Sequence, residues 1–172
     1  MFNRILVPTD FSPASDAALE YARVLAAKFG STLRLLHVID DPSSSSEFVG
    51  DGFAPSTEDI RNRLLKQART RLEDLMNLAD RSRYHAHADA VIGTPADAII
   101  DFASATGTSL VVMGTHGRTG LAHLLMGSVA EQVVRTAPCP VLTVRQVAVA
   151  DEAVAHVAPA YCETRVPVAV AV

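Results

Sequence analysis

Residues 4–30 read RILVPTDFSPASDAALEYARVLAAKFG, a strand-like run followed directly by a helix-like one. Residues 4–9 (RILVPT) are almost wholly apolar, as a strand covered on both faces requires. Ser12 then serves as N-cap and Pro13 as the first helical residue. Ala18, Ala22, Leu25, Ala26 and Phe29 recur on one stripe, and Gly30 supplies the stop. A buried strand that feeds an amphipathic helix is the first half of a βαβ unit.

The same alternation continues outward from this stretch. Residues 32–40 (TLRLLHVID) form a second strand, and residues 41–56, with Pro42, four consecutive serines, Gly50, Gly52 and Pro55, form a loop. From Thr57 to about Ser82 the period is helical, with Ile60, Leu64, Ala68, Leu72, Leu75, Met76 and Ala79 inward, which predicts the longest helix. Residues 84–92 alternate His85, His87 and Asp89 with Ala86, Ala88 and Ala90, so this third strand has one polar face and belongs near a sheet edge. Thr94 and Pro95 repeat the cap-then-proline opening of a helix that packs Ile99, Ile100 and Ala103 and stops before Gly107. A fourth strand (SLVVM, residues 109–113), a glycine-rich segment, a helix over residues 129–136 burying Ala130, Val133 and Val134, and a last strand at Val141–Val144 complete the pattern. Five strands and four helices alternate, which is the signature of a parallel α/β sheet. Residues 1–145 read as one domain. Of the 27 residues from 146 to 172, 16 are Ala or Val without consistent period, so this part reads as a C-terminal appendage: a disordered tail or, in its VPVAVAV end, an added strand.

Composition narrows the function classes. At 172 residues and 49% hydrophobic, the chain can bury about 70% of its unfolded surface in one domain. Fifteen Lys and Arg against nineteen Asp and Glu leave a net charge of −4, which offers no basic surface for a phosphate backbone. Trp is absent and aromatics are 5%, too few for single-strand stacking platforms. No run reaches the roughly 18 apolar residues of a membrane helix, and Met1-Phe2-Asn3-Arg4 leads straight into a strand, so a cytoplasmic protein without nucleic-acid or membrane partners is expected. Cys139 and Cys162 make neither C-x-x-C nor zinc spacing.

In open parallel sheets, ligands bind outside the carboxyl ends of strands where the strand order reverses. The strand-end residues are Pro8, Thr9 and Asp10 after strand one, His37 to Asp40 after strand two, and Met113 to Gly117 after strand four. The segment GTHGRTGLAHLLMGS, residues 114–128, contains G-x-x-G, nine residues, then G-S immediately before a helix. Glycines let the backbone approach a phosphate, and Gly127 and Ser128 bring N–H groups and a hydroxyl to a helix N-terminus. The helix dipole contributes only about 0.3 to 1 kcal/mol there, so most phosphate affinity must come from N–H bonds and from Arg118 or a magnesium ion. Asp10 reads equally as a turn acid ahead of Ser12 and as a ligand contact. His116 lacks a carboxylate orienter nearby in sequence, Cys139 reads as a small apolar residue, and His85, His87 and Asp89 are explained by an exposed strand face. No catalytic residue is assigned.

With this segment in place, the chain resembles the universal stress proteins, specifically the nucleotide-binding branch carrying G-x-x-G-x9-G-[ST] between the fourth strand and the fourth helix. Gly114, Gly117, Gly127 and Ser128 match that motif residue by residue, and ILVPTDFS, HVID and CPVLTVR extend the likeness from Phe2 to about Arg145. The resemblance implies a Rossmann-like three-layer α/β/α fold with sheet order 3-2-1-4-5, ATP with Mg at the switch point between strands one and four, and a homodimer through antiparallel pairing of Val141–Val144. It places Asp10 and the backbone of Val38 on the adenine side, with Pro8 and Thr9 lining the same pocket. Gly114, Gly117, Gly127 and Ser128 fall on the ribose and phosphate side, with Arg118 and Val129 adjacent and Met113 at the strand end. The implied role is stress response or signalling through nucleotide-dependent dimer or partner interactions. Two alternatives stand beside it: a slow ATPase or autophosphorylating protein, and a nucleotide-independent dimeric interaction module. Efficient turnover is disfavoured, because G-x-x-x-x-G-K-[ST] is absent and the turn after strand one reads TDFSPAS rather than a glycine fingerprint.

Overall fold

A computed structural model describes residues 2–41, 56–116 and 126–145. Gly117, Arg118, Cys162, most of the loop at residues 41–56 and the appendage at 146–172 lie outside the described residues. The elements run β1 (Arg4–Pro8), α1 (Pro13–Phe29), β2 (Thr32–Ile39), α2 (Thr57–Leu75), α3 (Leu78–Arg83), β3 (His87–Ile92), α4 (Pro95–Ala105), β4 (Leu110–Gly114), α5 (Ser128–Thr136) and β5 (Val141–Val144). All neighbouring strands are parallel, in the order β3-β2-β1-β4-β5. The five-stranded Rossmann-like sheet expected from the sequence is the one observed.

The period of two along each strand separates two cores. Ile5, Val7, Leu33, Leu35, Leu110 and Val112 face one side and bury Ala18, Leu19, Ala22 and Ala26 of α1 with Ala68 and Leu72 of α2. Leu6, Leu36, Val111 and Met113 face the other, against Ala96, Ile99 and Ala103 of α4 and Ala130 and Val133 of α5. Alanine dominates the inward stripe of α1, which lets that helix lie close to β4. Val134, read from sequence as inward, is instead one of the exposed large hydrophobics, because the buried stripe of α5 runs through Ala130 and Val133.

The helix caps follow the sequence signals. Ser12 is extended and its Oγ accepts from the Ser15 amide at 3.3 Å, Pro13 opens α1, and Gly30 closes it in the left-handed region at φ 64°. Ser12→Ala should therefore lower the unfolding free energy by about 1 kcal/mol, read as a lower urea midpoint at unchanged slope.

One helix boundary differs from expectation. The long second helix stops at Leu75, Met76 turns extended, and α3 restarts at Leu78, so the described residues hold five helices rather than four. Asn77 and Asp80 form a reciprocal capping box, the Asp80 amide donating to Asn77 Oδ1 at 2.9 Å and the Asn77 amide to Asp80 Oδ2 at 3.0 Å. The third strand also starts late, at His87, because the amides of Tyr84 and Ala86 both donate to the Asp80 carbonyl and His85 takes a left-handed φ of 44°. β3 is a sheet edge as expected: Ala88 and Ala90 pack inward, His87 is exposed, and Asp89 pairs with Arg34 at 3.5 Å. Cys139 is a half-buried free thiol whose pKa burial raises, so it behaves as the apolar residue the sequence suggested. No helix among the described residues is long and apolar enough to cross a membrane.

Candidate functional site

Chain order leaves open which strands neighbour β1, and the sheet answers it: β1 pairs with β2 on one side and with β4 on the other, Ile5 opposite Leu110 and Leu6 opposite Val111. The crevice where the order reverses thus opens at the carboxyl ends of β1 and β4. There the structure forms a cleft of about 560 Å³, within the range of small-molecule sites. Nine of the sequence-derived candidates line it: Pro8, Thr9 and Asp10 after β1, Val38 near the end of β2, Met113 and Gly114 closing β4, and Gly127, Ser128 and Val129 opening α5. The remaining two, Gly117 and Arg118, are outside the described residues.

One wall of the cleft is built from hydrogen-bond acceptors. Ser15 Oγ donates its single proton to the Ser12 carbonyl at 2.8 Å, so in its 3.0 Å contact with Thr9 Oγ1 it must accept. Thr9 Oγ1 thereby spends its own proton and accepts from the Phe11 amide at 3.0 Å. Beyond these hydroxyls stand two carboxylates. Asp10 is half-buried and its Oδ1 accepts from the Ser12 amide at 3.1 Å, an Asx turn; Asp40 lines the same cleft and is exposed. Asp10 is thus at once the turn acid and a cleft-lining group.

The facing wall is built from donors. α5 begins at Ser128 behind an extended Gly127 that makes no side-chain cap bond. The amides of Ser128, Val129 and Ala130 belong to the first helical turn, where no carbonyl lies four residues back within the helix, and all three residues line the cleft. The stem of the glycine-rich loop is closed here: the Gly127 amide donates to the Thr115 carbonyl at 2.7 Å, and the Thr115 amide donates to the Val144 carbonyl of β5 at 3.0 Å. A Cβ on Gly127 would sit 3.3 Å from that Thr115 oxygen. His116, a strand-end residue to which the sequence assigned no catalytic role, is half-buried at the cleft, with Nδ1 3.0 Å from Thr115 Oγ1.

Apolar side chains of Leu36, Val38, Ile99 and Met113 meet between the two walls, with Pro95 beside them. Sequence reading placed Leu36, Ile99 and Ala130 in strands or core, named Asp40 among the strand-end residues without giving it a binding role, and left Ser15 and Pro95 off the site. Asp40 carries a legible signal, being a carboxylate at a strand end next to the switch point. Pro95 and Ile99 carry none, since they enter the cleft only through the packing of α4 across β2. Among the described residues, no group of three His, Cys, Asp or Glu could hold a metal ion.

A doubly wound parallel sheet with a cleft at its switch point, one wall accepting and the other donating, defines a class of small-ligand-binding α/β domains. Residues 1–145 match the model of the universal stress protein family, and the chain belongs to that family. It is 35% identical over 146 residues to universal stress protein MJ0531 of Methanocaldococcus jannaschii, covering 85% of this chain and 84% of the relative. It is 34% identical over 148 residues to universal stress protein YxiE of Bacillus subtilis, covering 84% and 100%. The solved structure of protein MJ0577 of M. jannaschii superposes with a TM-score of 0.68 at 29% identity, covering 85% of this chain and 97% of that one.

Proposed function

We propose that this universal stress protein binds ATP with Mg²⁺ in the cleft between β1, β4 and α5, and that occupancy acts in stress signalling by changing how the chain pairs with a second copy or with another protein. The observation that carries the reading is the polarity of the cleft. A nucleotide presents a donor at the amino group of its base and acceptors at its phosphates, and the two walls suit those two ends. Asp10 and the backbone of Val38 would receive the base side, with Pro8 and Thr9 beside them. Gly114, Gly127, Ser128 and Val129, with Met113 at the strand end and Gly117 and Arg118 in the loop, would receive the ribose and phosphates. Asp10 and Asp40 repel a polyphosphate, which favours placing the phosphates at the α5 wall.

Magnesium suits this donor set as a passenger. With no three-ligand cluster among the described residues, it would be held by phosphate oxygens and water with at most one or two side chains. When bound it neutralises phosphate charge that the α5 amides alone leave largely uncompensated. β5 ends the sheet and carries Val141 and Leu142, an edge that a second copy would cover by antiparallel pairing.

Titration calorimetry of nucleotide-free protein with Mg-ATP should give saturable heat at about one ATP per chain, and a micromolar dissociation constant corresponds to about 8 kcal/mol. Gly127→Val should remove that heat from a folded protein, because a side chain at this position enters the space between α5 and Thr115. No heat at two temperatures from folded wild-type protein overturns the reading.

A further inference from the structure

Phe11 follows Asp10 and has its backbone in the left-handed region, at φ 62°. Bulky residues rarely adopt that conformation, and it persists only where the surroundings over-determine it. Here they do. The Phe11 ring lies against the His37 ring, centroids 4.5 Å apart and planes at 44°, while the Arg71 guanidinium carbon of α2 stands 4.2 Å from the Phe11 ring centroid. His37 is buried, and its Nδ1 is 2.7 Å from the Thr9 carbonyl oxygen; a carbonyl can only accept, so Nδ1 carries the proton and donates. Thr9 is thereby held at every polar atom. Its amide bonds to the Leu36 carbonyl at 2.8 Å, its carbonyl is bonded by His37, and its hydroxyl lies between Ser15 and the Phe11 amide.

Neither His37 nor Arg71 lines the cleft, whereas Leu36 and Val38, the neighbours of His37 in β2, do. His37 therefore projects to the opposite side of the sheet, toward Phe11 and α2. A continuous stack runs from α2 through Phe11 and His37 to the loop that presents Thr9 and Asp10. We infer that Phe11 is a positioning residue for the acceptor wall: clamped between Arg71 and His37, it holds the β1–α1 loop in the geometry that receives the nucleotide and ties that geometry to the placement of α2. The inference rests on the nucleotide reading above for its affinity consequence, but not for the clamp itself.

The test uses the full chain and the variants Phe11→Gly, Phe11→Tyr and Arg71→Met. Glycine accepts φ 62° without strain, so Phe11→Gly deletes the clamp while leaving the backbone conformation accessible. In the ligand-free protein, amide exchange at Thr9 and Ser12 should quicken in Phe11→Gly and, to a smaller degree, in Arg71→Met, while amides of β1 and β4 keep their protection. In Mg-ATP titrations, Phe11→Gly should raise the dissociation constant about tenfold or more, and Phe11→Tyr, which keeps the ring, should stay within about twofold of wild type. Arg71→Met should weaken binding about threefold, and the double variant Phe11→Gly with Arg71→Met should bind no worse than Phe11→Gly alone, because the guanidinium acts through the ring. Unchanged exchange at Thr9 and Ser12 in both single variants overturns the clamp, whatever the titrations show. Additive losses in the double variant, or wild-type affinity in Phe11→Gly, overturn the coupling to binding. Quickened exchange in a protein whose wild type binds no nucleotide leaves the clamp standing and removes the nucleotide reading instead.

Discussion

Asp80→Ala should cost about 1.5–3 kcal/mol of folding stability, although Asp80 does not line the cleft, because it removes a buried carboxylate that the half-buried Arg23 guanidinium and the Asn77 amide share. The Asp80 carboxylate is 1% exposed. It accepts from Arg23 Nε at 2.9 and 3.2 Å and from Nη2 at 2.6 Å, and from the Asn77 amide at 3.0 Å, while Nη2 also donates to the Leu75 carbonyl at 2.9 Å. One guanidinium thus joins α1 to both sides of the break between α2 and α3. The Arg23 pKa is raised, first by its hydrogen bond to Asp80 and against the burial that lowers it, so the pair outweighs the desolvation of the cation. A group whose pKa is raised on folding contributes fully below its unfolded value and loses that contribution only as the pH climbs through the folded one. For arginine that window is strongly alkaline, so the effect should be constant across neutral pH. In urea unfolding the loss should shrink when Arg23→Met is added to Asp80→Ala, since the second change removes the half-buried cation whose chief partner is gone and which keeps, among the described residues, only Glu20 as an ionic partner. A single-variant loss under about 1 kcal/mol would show that the pair does not tie α3 to α1.

The same carboxylate explains where sequence reading stopped short. Ile60, Leu64, Ala68, Leu72, Leu75 and Met76 keep a helical period straight through the break, so apolar spacing alone predicts one helix from Thr57 to about Ser82. What interrupts it is the N-x-x-D pair Asn77 and Asp80, visible as a capping box only once Arg23, 57 positions from Asp80 in sequence, is known to claim the carboxylate. Strand identities were legible because a sheet buried on both faces demands apolar runs, and β3, with its polar alternation, declared itself an edge; the order of the other strands came only through the family resemblance, since apolar runs do not say which strands pair.

The cleft was legible where it is made of strand ends and a helix start, which topology places at the switch point irrespective of packing. It was not legible where it is made of neighbours brought in by tertiary contact, such as Pro95 and Ile99. Phe11 is the clearest case. In the sequence it is one apolar residue between Asp10 and Ser12, and its left-handed backbone accompanies ring contacts to His37 and Arg71, which no local pattern connects to it.

Gly114→Val should destabilise the chain by about 1–3 kcal/mol and also abolish nucleotide binding in the protein that still folds. From sequence, Gly114 belongs to a phosphate-approach motif. It also serves helix–strand packing, since a Cβ there would lie 3.0 Å from the carbonyl carbon, the carbonyl oxygen and the Cβ of Ala14. These are mostly backbone atoms in the first turn of α1 and cannot swing aside as the end of a flexible side chain can. Relief requires α1 to move off the end of β4, and the residue after Ala14 is Ser15, whose hydroxyl accepts from Thr9 on the acceptor wall. The strain therefore passes into the site. At about 2–4 °C per kcal/mol for a chain of this size, the midpoint should fall by about 2–12 °C. Gly127→Val makes the contrast, because its nearest contact is 3.3 Å and lies on the loop stem; its stability loss should be about 1 kcal/mol while the binding heat disappears. If Gly114→Val lowers the midpoint but binds Mg-ATP as wild type does, the glycine serves helix–strand packing alone and the ribose and phosphates do not lie against β4. If both glycine variants lose binding and only Gly114→Val loses substantial stability, the motif combines two requirements: close packing of α1 on β4 at its first glycine, and, after its last, access to the first-turn amides of Ser128, Val129 and Ala130.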